Sequence, residues 1–113
     1  MPERFRHIVA DFTGVPVAQA SDASLLTGLL IAAAGAAGFP TTGAPVARHG
    51  GAGAHSIVLF LDGCHLSVHA HPARGLVLLD ILSDARIDAR KALAVFTRKL
   101  RATAVRTEEM ERA

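Results

Sequence analysis

The chain has 113 residues, which is enough for one domain with a hydrophobic core and too few for two. Half of the residues are hydrophobic, but Trp and Tyr are absent and Phe occurs only five times, so Ala, Val, Leu and Ile must form most of the core. A single cysteine excludes an internal disulfide, no apolar run is long enough to span a membrane, and the first residues lack the pattern of a signal peptide. These features predict a soluble cytoplasmic protein with one domain over residues 1–113 and no membrane contact.

The basic residues are unevenly distributed. The formal net charge is +2 and the pI is about 9.3. Most of the basic excess lies in residues 86–106, which hold seven Lys or Arg and one acidic residue. No nucleic-acid-binding motif accompanies this run, so it indicates the solvated face of a helix and no nucleic-acid partner.

The pattern of hydrophobic residues predicts both strands and helices. Residues 6–12 alternate in polarity as a strand does, and Ser21 or Asp22 can cap the helix that follows. That helix is apolar on two adjacent faces, as expected of a helix that lies flat on a sheet. The predicted order is a strand at 6–12, a helix ending at Gly38, a strand at 41–48, strands at 56–61, 65–71 and 76–82, a helix over 87–100, and a last strand at 103–107.

The connections between these elements define the fold class. The turn pair Asp62-Gly63 and the segment 72–75 join the three middle strands by short links, which is typical of an antiparallel meander. The order therefore predicts an α+β fold, a two-layer sandwich with two helices on one face of a mainly antiparallel sheet.

The side chains best suited to chemistry are concentrated in one strand. Cys64, the only cysteine, and His65, His69 and His71 fall within eight residues. Thiol and imidazole groups can act as nucleophile and base near neutral pH. The three histidines alternate with apolar residues and share one face of the strand, where they could bind zinc together with Cys64 or a nearby Asp. Because Cys64 should point to the opposite face, we predict no metal site.

The segment around Cys64 resembles the central motif of the small prokaryotic S-adenosylmethionine decarboxylases, pyruvoyl enzymes of spermidine synthesis. Family members open with a His-hydrophobic-hydrophobic-Ala-Asp/Glu-Phe strand, matched here by residues 7–12. Their motif Glu-Ser-His-hydrophobic-Ser/Thr-hydrophobic-His-Thr-aromatic-Pro-Glu is matched by residues 63–73, Gly-Cys-His-Leu-Ser-Val-His-Ala-His-Pro-Ala. Gly75 and Asp80 follow at the family's spacing. The resemblance runs from residue 7 to about residue 112 and implies the family's fold.

The resemblance also implies self-cleavage. In the family, the Glu-Ser bond cleaves itself and leaves a pyruvoyl group, which condenses with the substrate amine and serves as an electron sink during loss of CO2, as PLP does elsewhere. Cys64 stands at the serine position and is the implied precursor of the pyruvoyl cofactor, since an ionised thiol is a competent nucleophile. By the same resemblance, His69 and Ser56 assist cleavage, and Asp84 occupies the place of the family's proton-donating cysteine.

Several substrate-binding positions depart from the family pattern. The aromatic residue before the motif proline is His71, the acid after it is Ala73, and the loop that supplies a second aromatic is Gly50 to Gly53. The rings that would stack on adenine and the carboxylate for the ribose are therefore missing. We expect His65 and His71 to contact the substrate, which is S-adenosylmethionine by the resemblance or a smaller cationic amino acid paired with Asp84.

Two functions stay open at the level of the sequence. The first is a pyruvoyl-dependent decarboxylase linked to polyamine synthesis. The second is an uncleaved, inactive homologue that serves as a binding or regulatory subunit. In either case the resemblance and the small size predict a homodimer or a dimer with a paralogue.

Overall fold

The computed structural model describes residues 4–113, which form one six-stranded sheet and three helices. The elements are β1 (Phe5–Thr13), α1 (Val17–Ala20), α2 (Ala23–Ala37), β2 (Val46–His49), β3 (His55–Phe60), β4 (His65–His71), β5 (Leu76–Asp84), α3 (Arg90–Lys99) and β6 (Ala104–Arg112). The strand order is β2-β3-β4-β5-β1-β6, and all neighbours are antiparallel. The predicted α+β architecture is confirmed.

Tight turns produce the meander from β2 to β5. Asp62 and Gly63 connect β3 to β4, and the Leu61 N–H donates to the Cys64 carbonyl over 2.9 Å. Gly63 has a φ of +72°, a left-handed conformation that glycine adopts without steric cost. The N-terminal strand β1 then lies between β5 and β6, so it is central in the sheet.

The helices cover one face of the sheet. The Asp22 carboxylate accepts the Leu25 N–H over 3.0 Å and caps α2, which Gly38 closes in a left-handed conformation. α2 packs against β3, β4 and α3. The fully buried core between the layers includes Ile8, Phe12, Leu26, Leu30, Ile57, Leu66, Val68, Ile81, Phe96 and Leu100.

The second strand is shorter than the expected range 41–48. Thr41 forms only an isolated bridge with Leu61, and β2 begins at Val46. The intervening Gly43 has a φ of +149°, and Pro45 has no N–H to donate to a neighbouring strand. These two residues interrupt the strand.

The last helix and strand also differ from their predicted ranges. Ile87 lies in a turn, where its backbone N–H donates to the Asp84 carbonyl. The helix α3 begins only at Arg90. β6 continues past the predicted end at 107 to Arg112, because it pairs with all nine residues of β1. All of its side chains are exposed, so its sequence lacks the alternation of apolar and polar residues from which the length of a strand is predicted.

The face of the sheet away from the helices, called the open face below, is not covered by any of residues 4–113. It is rich in apolar side chains, including Leu76, Leu78 and Leu82 of the central strand β5. Strand alternation and pairing register place on it Phe5, His7, Val9, Asp11, Val46, Arg48, Ser56, Val58, Phe60, His65, Ser67, His69, His71, Leu76, Leu78, Asp80, Leu82, Asp84, Arg106, Glu108, Met110 and Arg112.

Candidate active site

Cys64 lies immediately after the turn that joins β3 to β4. It has the same parity as Leu66 and Val68, so its side chain points toward the helical layer, and only 8% of the residue is exposed. The histidines of β4 lie on the open face instead. The thiol and the imidazoles are therefore on opposite faces of one strand.

A cavity of about 190 Å³ opens beside Cys64. Its charged groups are Asp62, Asp84 and Arg86. Apolar walls come from Phe39, Pro40, Leu61 and Ile87. The sequence indicated Cys64 and Asp84 as site residues, whereas Asp62, Arg86 and the apolar walls emerged only from the fold.

The surroundings of Cys64 disfavour its thiolate. Burial raises the pKa of the Cys64 thiol, and the carboxylates of Asp84 and Asp62 raise it further. A thiol with a raised pKa is a weaker nucleophile at neutral pH. Attack by this sulfur therefore requires an alkaline medium or a base that removes its proton.

Arg86 holds the Asp84 carboxylate with two arms of its guanidinium. Nε lies 3.1 Å from Oδ1, Nη2 lies 2.6 Å from Oδ2, and the Arg86 backbone N–H donates to Oδ1 over 2.9 Å. The side-chain hydrogen bonds from Arg86 lower the pKa of Asp84, and the backbone hydrogen bond adds to the effect. An ionised Asp84 is better suited to hold a cation than to donate a proton. Proton donation is the role that the resemblance implies for this residue.

Ser56 and His69 form a second cluster, on the open face. The two residues are cross-strand partners on β3 and β4, and Ser56 Oγ lies 2.7 Å from His69 Nδ1. This contact orients the imidazole and is the geometry that a hydroxyl and a base need to act together.

The two clusters are far apart within one chain. His69 is five residues beyond Cys64 on an extended strand, a distance of about 16 Å, and it faces the other way. His71 is about 23 Å from Cys64 by the same spacing, and it borders a separate cavity of about 70 Å³ with Ala73 and Arg74. The structure thus places Cys64 near Asp84 and Ser56 beside His69, but these two pairs lie far apart within one chain.

The strand spacing also bears on His65 and on the zinc alternative. His65 begins β4 on the open face, between its cross-strand partners Phe60 and Leu82. It is about 13 Å along the strand from His69, too far for one ion to bind both. Across residues 4–113, no three His, Cys, Asp or Glu side chains are grouped as metal ligands would be.

A further polar cluster of the open face was not identified from the sequence. His7 Nε2 hydrogen-bonds Asp80 Oδ1, and Arg112 Nη1 lies 3.4 Å from His7 Nδ1. His7 and Asp80 both match the family motifs, and that match was the only signal in the sequence. Their contact depends on the register between β1 and β5, which sequence spacing does not reveal.

Fold and site together define a small two-layer α+β protein with a buried cysteine after a tight turn, beside a cavity lined by carboxylates. The chain matches the sequence profile of the S-adenosylmethionine decarboxylase family over residues 6–113, and it belongs to that family. The resemblance inferred from the motif around Cys64 is confirmed.

A solved structure supports the same fold. The crystal structure of the adenosylmethionine decarboxylase from Aquifex aeolicus VF5 is similar to this chain with a TM-score of 0.88 and 22% sequence identity, covering 100% of this chain and 93% of that one. At this identity the likeness establishes the fold alone. No curated protein matches the chain. In the described part of the chain, no helix has the length and apolar character needed to cross a membrane.

Proposed function

We propose that this protein is a pyruvoyl-dependent decarboxylase that generates its own cofactor by cleaving the Gly63–Cys64 bond. The position of Cys64 carries the proposal. A nucleophilic side chain stands at the residue that the family uses, directly after a tight turn, and it lines a cavity with charged and apolar walls.

Cleavage would proceed through the atoms of Gly63 and Cys64. The Cys64 thiolate attacks the Gly63 carbonyl carbon, and the peptide nitrogen leaves that carbon as the amine of residue 64, which gives a thioester. Removal of the Cys64 α-proton then expels the sulfur together with Gly63 as a thiocarboxylate and leaves a Cα–Cβ double bond in residue 64. Addition of water and release of ammonia complete the pyruvoyl group without an oxidant or a reductant.

The surroundings of residue 64 fit such a group. The position is buried, yet it borders a cavity that a small amine could enter. Once formed, the group would supply an electron sink for loss of CO2. Phe39 and Ile87 would limit water at the reacting carbon, while Asp62 and Asp84 would attract a cation.

These charges favour a small cationic amino acid as the substrate. A volume of about 190 Å³ is below the range usual for sites of drug-sized ligands. His71 and Ala73, which replace the family's aromatic and acid, lie at the far end of β4. Decarboxylation of a cationic amino acid would yield a diamine or related amine, which agrees with the family's place in polyamine synthesis. S-adenosylmethionine itself is the competing substrate.

A homodimer would complete the catalytic set. His69 and Ser56 cannot reach Cys64 of their own chain. A second copy packed on the open face would have to present them to the Gly63 side of the bond, because Gly63 lines the cavity at that end of the open face. The central strand β5 is apolar on both faces, with Leu78 and Leu82 on the open side, as is typical of strands covered by two layers. A dimer with a paralogue would use the same surface.

Intact-mass spectrometry tests the proposal. Purified protein incubated at mildly alkaline pH should separate into residues 1–63 and 64–113, with masses that sum to the chain plus water minus ammonia. The second fragment should react with hydrazine, and the first should end in a thiocarboxylate. The Cys64→Ala variant should stay intact. A wild-type chain that remains uncut after long incubation would exclude self-generated pyruvoyl chemistry.

An uncleaved binding or regulatory subunit is the second candidate. The raised pKa of the Cys64 thiol favours it, because the thiolate needed for attack is scarce near neutral pH. The same mass measurement distinguishes the candidates, since only this second one predicts a single intact chain in every preparation.

A further inference from the structure

Three side chains form a row across the end of the sheet nearest to Gly63. Phe5 is the cross-strand partner of Asp84 on β5 and of Arg112 on β6, so all three belong to the open face. Adjacent strands are about 4.8 Å apart, which separates the Cα atoms of Asp84 and Arg112 by about 10 Å. An exposed aromatic ring therefore lies between two opposite charges.

A cavity of about 270 Å³ occupies this end of the open face. Phe5 and Leu82 give it an apolar lining, Arg112 contributes its charge, and Gly63 and Ala113 complete its walls. Because Gly63 lines this cavity and Cys64 lines the one with Asp62, the Gly63–Cys64 bond has a cavity on each side.

The guanidinium of Arg112 is available for an anion. Within residues 4–113 it forms no ion pair, and its side chain makes one hydrogen bond, from Nη1 to His7 Nδ1 over 3.4 Å. On the same strand, Arg106 pairs with both Asp11 and Glu108. Asp80 holds the other nitrogen of His7, so the imidazole is fixed beside the guanidinium. A planar guanidinium is well matched to a carboxylate, and its contact with His7 uses only one of its N–H donors.

We propose that Arg112 binds the carboxylate of an amino acid ligand, with Phe5 beneath its apolar part and Asp84, on the other side of Phe5 in the row, toward its cationic group. This subsite rests on the proposed function, because it specifies how a cationic amino acid is held next to residue 64. A carboxylate has several acceptor positions, so Asp84 can receive a ligand cation in addition to Arg86. The amine left after loss of CO2 has no carboxylate for Arg112 to bind, so the subsite binds the substrate more tightly than the product.

Calorimetry with two matched probes tests the subsite. L-Lysine and 1,5-diaminopentane differ only by a carboxylate, and the Cys64→Ala chain allows binding to be measured without cleavage. L-Lysine should bind about tenfold more tightly than the diamine. Arg112→Gln should remove that preference, Arg112→Lys should keep part of it, and Arg106→Gln on the same strand should keep all of it. Circular dichroism of each variant checks the fold.

The results of this experiment are independent of self-cleavage. Equal affinity for the two probes, no binding of either, or a preference that persists in Arg112→Gln would overturn the subsite. A clear preference in a protein that never cleaves would support the subsite while the decarboxylase proposal fails. Cleavage without a preference would support the decarboxylase and overturn the subsite.

Discussion

Ser56 and His69 face each other across β3 and β4, with Oγ 2.7 Å from Nδ1, on the face of the sheet opposite to Cys64. The Ser56 hydroxyl fixes the orientation of the His69 ring through Nδ1. The other ring nitrogen, Nε2, does not contact Ser56. Because this pair is about 16 Å along the strand from Cys64, it can act on the Gly63–Cys64 bond only across a contact between two copies.

We expect cleavage to be restored by mixing two inactive variants. His69→Ala should slow cleavage about 100-fold or more, since a positioned base is lost. Cys64→Ala cannot cleave but retains the Ser56–His69 pair. In a mixture, the His69→Ala chain should be cut and the Cys64→Ala chain should stay whole, as mass spectrometry would reveal. Failure of mixing to restore cleavage, despite exchange of subunits, would refute a shared site. His49→Ala, on β2, is the matched control and should cleave normally.

The rate of cleavage should increase with pH and respond to two carboxylates. Burial, Asp84 and Asp62 all raise the pKa of the Cys64 thiol, so the thiolate forms only at higher pH than for an ordinary cysteine. Asp62→Asn or Asp84→Asn removes a negative charge, lowers that pKa and should shift the pH profile of cleavage to lower pH. Thiolate absorbance during a pH titration would measure the same shift directly. An unchanged profile in both variants would show that these carboxylates do not act on the thiol.

Gly63 and Gly28 should respond in opposite ways to substitution by alanine. Gly63 has a φ of +72°, so Ala at this position should destabilise the fold by about 1 kcal/mol. Gly28 lies within α2, and a Cβ there would meet no atom within 4 Å, so Ala should stabilise the helix by up to about 1 kcal/mol. Urea denaturation of both variants provides the comparison, made in a Cys64→Ala background so that cleavage does not interfere. A stabilising Gly63→Ala would contradict the turn geometry.

A charge on the open face should dissociate the proposed homodimer. Leu78 lies at the centre of that face on β5, so Leu78→Asp would bury a carboxylate between two copies at a large cost in free energy. Analytical ultracentrifugation should find a dimer for the wild type and a monomer for this variant. Ile31→Asp, on the exposed side of α2, is the control and should remain dimeric. Dissociation by Ile31→Asp alone would place the interface on the helical layer instead.

The sequence by itself determined the features that depend on near neighbours in the chain. The strand at 65–71 was predicted with its observed bounds, because polar and apolar residues alternate through it. The Asp62-Gly63 turn and the Asp22 cap follow from the conformations and hydrogen bonds of a few adjacent residues. The family motif added Cys64, and the parity of a strand put its thiol on the face opposite to the histidines.

Only the tertiary structure decided which distant residues meet. β6 extends to Arg112 because it pairs with β1, although its own exposed side chains carry no hydrophobic signal. The row of Asp84, Phe5 and Arg112 depends on the register of three strands that are far apart in sequence. Register is set by the simultaneous burial of one face of every strand against the helices, and this collective condition cannot be read from any single segment.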